Sequence, residues 1–437
     1  MTDAIEQAPD AAPAPAGWRR NIVLFLTGQT VSLFGSSIVG YAVMWHLTLE
    51  TKSGMVLATL MIIAYLPQAF VSPFGGVVAD RVNRKWLIVI ADSTIAVTTL
   101  ILALIWVSGN HSLWLIYISM VIRSIAGGFQ QPAVNAMIPQ LVPQDSLMRV
   151  NGVNQTLQSA MALLAPATAG VVYGLWGLVP AFFTDVVTAA IGVGLLVLVP
   201  LSRTPREDDA EPATIIADIR DGMGYAWDHV MVRWVMVVYA VVFMLMAAPS
   251  VLMPLMLARS FSERPLDLTI LELAYSIGMM IAGAVIATML TRRSRQHMML
   301  FGTVGCGIVL IAMGLSPTMW FYFAMSFLCG IAVPTFTTPA MTLLQEKVDE
   351  AYMGRVFSLI SIVAAVAVPL AMVVIGPLSD MVTVQSIFVV TGVLGLVFIA
   401  WAFASKPGRA GLAEGRAFRA EQVSSQKETG PGHPESI

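Results

Sequence analysis

What most constrains this chain is a series of twelve long apolar runs, each free or nearly free of charge: 21–49, 54–78, 86–108, 112–136, 150–175, 178–200, 234–257, 269–290, 297–315, 318–343, 356–378 and 384–404. A helix crossing the bilayer's hydrocarbon core needs ~20 mostly apolar residues. Inside that core the backbone has to satisfy its own hydrogen bonds, so runs of this length fold as helices. The expected fold class is an all-α membrane protein of twelve transmembrane helices in two six-helix halves. Charged residues make up only 11% and mean hydropathy is +0.78, against ~25% charged residues in a soluble domain. A net charge of −2 leaves no basic footprint for nucleic acid. Two cysteines, Cys306 and Cys329, cannot build a disulfide scaffold or a four-ligand zinc site. Both lie inside apolar runs and read as small buried hydrophobes.

The domain boundaries follow from composition. Residues 1–20 are Ala/Pro-rich and acidic (Asp3, Glu6, Asp10), lack the basic start and cleavage pattern of a signal peptide, and are expected to form a disordered cytoplasmic tail. The first six-helix half is 21–200, the second 234–404. Between them, 201–233 reads as a linker whose stretch from Ile215 to Met223 is an amphipathic surface helix. The polar residues 405–437 form a second tail. Basic residues on the cytoplasmic side orient a membrane protein. With the N-terminus inside, Arg19, Arg20, Arg81, Arg84, Lys85, Arg149, Arg203, Arg206, Arg220, Arg233, Arg292, Arg293, Arg295, Lys347 and Arg355 all fall inside, whereas only Lys52, Arg259 and Arg264 fall outside. Both termini are therefore expected in the cytoplasm. The halves also echo one another. Pro132 and Arg149 in the first correspond to Pro339 and Arg355 in the second, as in the duplicated halves of secondary transporters.

Four charges sit within spans: Asp92, Arg123, Asp185 and Glu272. A charge at the bilayer centre is unfavourable by several kcal/mol (~2.5–3.5 on insertion scales), so each needs a partner or a function. Arg123 and Asp185 have similar depths from the outside, ~15 and ~11 Å at ~1.5 Å per residue, which makes Asp185 one possible partner. Asp92 lies nearer the cytoplasmic side. Glu272 enters only a short way from the outside. All four are candidates for proton coupling, against the alternatives of a fixed ion pair or, for Glu272, a solvated helix end. Replacing Arg123 by alanine is expected to lower transport with little loss of expression. Gln29, Gln130, Gln131, Asn154 and Gln158 are uncharged polar candidates for a substrate cavity, and Met244 and Met280 are flexible apolar ones. Packing is the competing use for all of them.

The loop between spans 2 and 3 reads Gly76-Val77-Val78-Ala79-Asp80-Arg81-Val82-Asn83-Arg84-Lys85. This resembles the signature G-x-x-x-D-R-x-G-R-K/R of the major facilitator superfamily. Asn83 replaces a glycine, and asparagine is the next most tolerant residue of a left-handed turn. The resemblance implies a conformational latch of Gly76, Asp80, Arg81, Arg84 and Lys85 against Gly354 and Arg355 at the start of span 11, where a carboxylate is favoured by the helix dipole. Arg123 to Gly127 is similar to the superfamily's span-4 motif R-x-x-x-G. Leu164 to Gly170 is a degenerate match to the span-5 motif of its exporters, with Ala165 where a glycine is expected. The resemblance also implies that spans 3 and 6, which carry Asp92 and Asp185, pack away from the central cavity.

Two stretches, Arg123 to Ala136 and Gln345 to Leu359, resemble the macrolide-efflux branch of drug:proton antiporters. The resemblance implies a proton-coupled exporter of amphiphilic drugs, working by alternating access in the bacterial cytoplasmic membrane. Its partners would be a small amphiphilic substrate, protons and lipid; it would be a monomer and would need no cofactor beyond the proton gradient. The alternative is a transporter of a metabolite, siderophore or lipid, as an exporter or a proton-symport importer. An ATP-driven or catalytic protein is disfavoured, because the sequence has no Gly-Lys pair and hence no G-x-x-x-x-G-K-[ST] phosphate loop, and no H-E-x-x-H motif.

Overall fold

A computed structural model describes residues 17–200, 215–289 and 294–413. Among these residues the chain forms thirteen helices and no strand. In chain order they are α1 (Trp18–Thr51), α2 (Gly54–Arg81), α3 (Arg84–Val107), α4 (Leu113–Leu141), α5 (Gln144–Trp176), α6 (Leu178–Val197), α7 (Ile215–Asp228), α8 (Val230–Ser260), α9 (Pro265–Met289), α10 (Arg295–Gly314), α11 (Met319–Lys347), α12 (Glu350–Met381) and α13 (Val384–Ala404). All but α7 are long and apolar enough to cross a membrane, one for each apolar run. Several helices outrun the apolar stretch. α1 begins at Trp18, inside the stretch expected as tail, and α5 begins at Gln144, ahead of its run. Arg and Gln are good helix formers, so backbone hydrogen bonding does not stop where hydrophobicity does. Residues 1–16 of the expected tail, Arg203, Arg206, Arg292, Arg293 and the chain beyond 413 lie outside the described residues.

The chain packs as two compact units. The first comprises Met1–Ala42 and Pro67–Arg206; the second comprises Val43–Leu66 and Glu207–Ile437. The tip of the α1–α2 hairpin thus counts with the second unit.

Within the first unit α3 shows how sequence sets orientation. Trp86, Ile90, Val97, Ile101 and Leu104 recur at helical spacing and are exposed, a stripe suited to lipid. The opposite face, with Ile88, Asp92, Ile95, Thr99 and Leu102, is buried against α4 and α6. Close helix contacts rest on small residues. A Cβ built on Gly75 of α2 would lie 2.3 Å from the Gly128 carbonyl oxygen of α4. In the second unit one built on Gly330 of α11 would lie 2.1 Å from the Tyr275 carbonyl oxygen of α9. These are the second and fourth, and the eighth and tenth, spans, so the two units use the same crossing at the same place.

The expected linker helix is present as α7 and reaches beyond Met223 to Asp228. It packs on α12 and α8. The Tyr225 ring stacks on Tyr352 at 4.4 Å, and its hydroxyl accepts a hydrogen bond from the Asp349 amide at 3.0 Å. Tyr225 therefore satisfies a backbone donor at the start of α12.

Candidate functional site

The first unit brings three of the four intramembrane charges onto one buried face. Arg123 of α4 donates through Nη1 to Asp185 Oδ2 of α6 and to Thr99 Oγ1 of α3. Thr99 Oγ1 donates to Asp185 Oδ2 at 2.8 Å, and Ser36 Oγ of α1 donates to Asp185 Oδ1 at 2.8 Å. The aspartate is fully buried and the arginine side chain 10% exposed. Four helices therefore meet at one ion pair whose lone pairs are occupied, the condition under which a buried pair is tolerated.

Asp92 lies on the same face of α3, two turns from Thr99, ~10 Å along the axis at ~1.5 Å per residue. Its carboxylate accepts from Gln29 Nε2 at 3.3 Å, Ser32 Oγ at 3.2 Å and Gln130 Nε2. Gln29 and Gln130 also line a cavity of about 40 Å³, together with Gln131, Asn154 and Gln158. All five polar cavity candidates thus converge on α1, α4 and α5. Sequence reasoning missed Asn135 and Thr30 in the same lining. Asn135 lies one helical turn after Gln131 and accepts from its Nε2 at 3.4 Å, a spacing that could have found it.

The second unit has a larger cavity of about 140 Å³ beside Pro249 of α8, lined by Phe243, Met246, Met253, Tyr275 and Phe336 and by the thiols of Cys306 and Cys329. That is the volume of a cavity that admits a benzene ring. Met244 and Met280 are not in its lining and are exposed; other methionines of α8 take the expected place. Glu272 of α9 forms no ion pair or hydrogen bond among the described residues and is half-buried.

The α2–α3 turn departs from the expected conformation. Asn83 is extended (φ −67°, ψ 111°) and accepts from the Lys85 amide at 3.0 Å. It is the N-cap of α3, a role that suits asparagine, and no left-handed residue is required. Arg84 ties the turn to Asp80 at 3.0 Å and to the Ala136 carbonyl of α4 at 2.8 Å. Lys85 Nζ donates to the Val197 and Val199 carbonyls, both at 2.8 Å, a cation at the C-terminus of α6 as the helix dipole favours. Gly76 and Gly354 face open space, and Arg81 is exposed. Arg355, in the second unit, lies over the Tyr352 ring at 5.4 Å.

A further cluster at the α1–α2 loop went unread in the sequence. Asp380, in the last turn of α12, accepts from the Gly54 amide at 2.7 Å, the Met55 amide at 3.0 Å, Ser53 Oγ at 2.7 Å and Arg259 Nη2 at 2.6 Å. Arg259 also donates to the Lys52 and Ser379 carbonyls, and Lys52 pairs with Glu263. A carboxylate at its own helix C-terminus is unfavourable, whereas at another helix's N-terminus it is favourable. That mismatch was the available signal.

The family described as the Major Facilitator Superfamily matches residues 25–271 and 235–428. The chain belongs to this superfamily. It is accordingly a multi-pass membrane transporter acting on a small molecule. Among its relatives, macrolide efflux protein A of Streptococcus pyogenes is 28% identical over 379 residues, covering 86% of this chain and 94% of that protein. Multidrug resistance protein MdtG of Citrobacter koseri is 25% identical over 364 residues, covering 79% and 84%. Among superfamily folds already solved, the nucleoside transporter NupG superposes with a TM-score of 0.67 at 15% identity, covering 89% and 98%. A bacterial homologue of the iron transporter ferroportin, in its inward-facing state, gives 0.63 at 17%, covering 88% and 99%.

Proposed function

We propose that this protein is a proton-coupled exporter of amphiphilic drugs, macrolide-like compounds among them, working by alternating access in the bacterial cytoplasmic membrane. The observation that carries the reading is the near full-length similarity to macrolide efflux protein A. The cavities support it. The apolar cavity of the second unit, lined by methionine and aromatic side chains, suits an apolar ligand surface, because thioethers adapt to varied shapes; the cavity of the first unit is lined by amides. The buried Asp92, hydrogen-bonded to Gln29 and Gln130 of the polar cavity, supports proton coupling. The distribution of arginine and lysine supports cytoplasmic termini, and the resemblance of the α2–α3 turn to the superfamily signature supports a conformational latch. No cofactor beyond the proton gradient is needed, and a monomer suffices.

The test is accumulation of a radiolabelled macrolide in inverted vesicles with an imposed pH gradient. Accumulation that collapses with an uncoupler is the expected result; accumulation indifferent to the uncoupler refutes proton coupling. A second reading, transport of a polar metabolite, is favoured by the six amide side chains of the polar cavity. A drug-susceptibility panel on expressing cells, beside uptake of labelled sugars and organic acids, separates the two.

A further inference from the structure

Asp92 differs from Asp185 in the company it keeps. It is 2% exposed, and its three hydrogen-bond donors, Gln29, Ser32 and Gln130, are all neutral. No cation bonds it among the described residues. The charged groups on the surrounding helices are otherwise engaged. Arg123 of α4 and Asp185 of α6 pair with each other, and Arg84 and Lys85 on its own helix bond Asp80 and backbone carbonyls. On α1, Arg19 and Arg20 sit two turns or more from Gln29 and Glu50 lies at the far end. A buried carboxylate held only by neutral dipoles can take up a proton without any ion pair being broken.

Two of those donors have a second role: Gln29 and Gln130 line the polar cavity. Each Nε2 is committed to Asp92, and neither side-chain oxygen has a hydrogen-bond partner among the described residues. A proton on Asp92 turns one carboxylate oxygen into a hydrogen-bond donor. On Oδ2, whose one donor is Gln29, that proton makes the Gln29 amide turn its own oxygen or let go; on Oδ1 the Gln130 amide or the Ser32 hydroxyl has to do so. A movement of either amide changes the donors and acceptors that the cavity offers a ligand.

We propose that Asp92 carries the coupled proton and that Gln29 and Gln130 are positioning residues that report its charge to the substrate cavity. This rests on the proton-coupled reading above. The step is a simple proton transfer: one proton binds a carboxylate oxygen when that site is open to the outside and leaves to the cytoplasm, with no other bond made or broken. Substrate and proton then exclude one another through the two amides, which supplies the differential affinity that coupling requires. The charged form, with both amide oxygens free of partners among the described residues, holds a ligand bearing hydrogen-bond donors such as a protonated amine; the protonated form releases it. Affinity for such a ligand should therefore fall as pH falls.

The experiment uses the full-length protein in proteoliposomes with a radiolabelled macrolide. Accumulation driven by a pH gradient is compared with counterflow, which moves substrate without net proton movement. Asp92→Asn is expected to lose at least about tenfold of gradient-driven accumulation while keeping measurable counterflow. Gln29→Leu and Gln130→Leu are expected to shift the pH midpoint of macrolide binding by about one pH unit. A wild-type protein indifferent to the gradient sinks the proton-coupled reading itself. A coupled wild type with an equally coupled Asp92→Asn variant overturns only the present inference. If Asp92→Asn loses counterflow too, the glutamine variants decide: an unchanged pH midpoint overturns the inference, and a shifted one upholds it.

Discussion

Arg123 and Asp185 show what one residue can do in a membrane core. Breaking a buried ion pair by removing one partner leaves an uncompensated charge and destabilises by about 3–5 kcal/mol, whereas replacing both by apolar residues can be neutral. With Asp185 fully buried, Arg123→Ala is expected to lower the unfolding temperature in detergent as well as transport, contrary to the modest loss of expression anticipated from the sequence. The double change Arg123→Leu with Asp185→Leu should restore much of that stability. If transport returns with stability, the pair is structural; if stability returns alone, the pair belongs to the transport cycle. The sequence made these two residues plausible partners because depth along a helix can be counted. It could not show that Thr99 and Ser36 complete the site, nor that Asp92 meets Gln29 and Gln130, because those meetings depend on which faces of four helices turn inward.

The elements themselves were the most legible part, since span length and apolarity are local properties. Their crossings were less so. Gly75 looks like any other glycine in an apolar run, yet its α-carbon lies against the α4 backbone. Gly75→Ala should force the two helices apart and destabilise by roughly 1–3 kcal/mol, as overpacking does, read as a lower unfolding temperature. Gly152→Ala on α5, where nothing lies within 4 Å, should leave that temperature unchanged and serves as the control. The α7 helix was anticipated from its amphipathic pattern, but its hold on α12 rests on Tyr225, just past the stretch that signalled it. Tyr225→Phe removes the hydroxyl bonded to the Asp349 amide and keeps the stacked ring, at about 1 kcal/mol for one such bond; Tyr225→Ala removes both and should cost more in the same melting assay.

For the molecule as a whole, the twelve-span plan was legible from charge scarcity, and the superfamily from the α2–α3 loop. The fastening of the α1–α2 tip within the second unit was not, because Asp380 gives no sign in the sequence of which helix it caps. Asp380→Asn weakens a cap and an ion pair together, and a cap alone is worth about 0.5–2 kcal/mol. In that variant a cysteine introduced at Ser53 should react faster with a membrane-impermeant maleimide than in the parent; equal rates would show that the cap does not hold the loop.

The same contact has a consequence for biosynthesis. The Gly54 amide and the Asp380 carboxylate are separated by 326 positions, so the first hairpin to leave the ribosome waits for the eleventh span before its helix end is capped. Contacts this distant in sequence form late and slowly. Fragments ending before α12 would leave the start of α2 without its Asp380 cap, and a fragment carrying only 207–437 would lack the Val43–Leu66 segment of its own unit. The two genetic halves, expressed as separate polypeptides, should therefore accumulate together and be degraded apart.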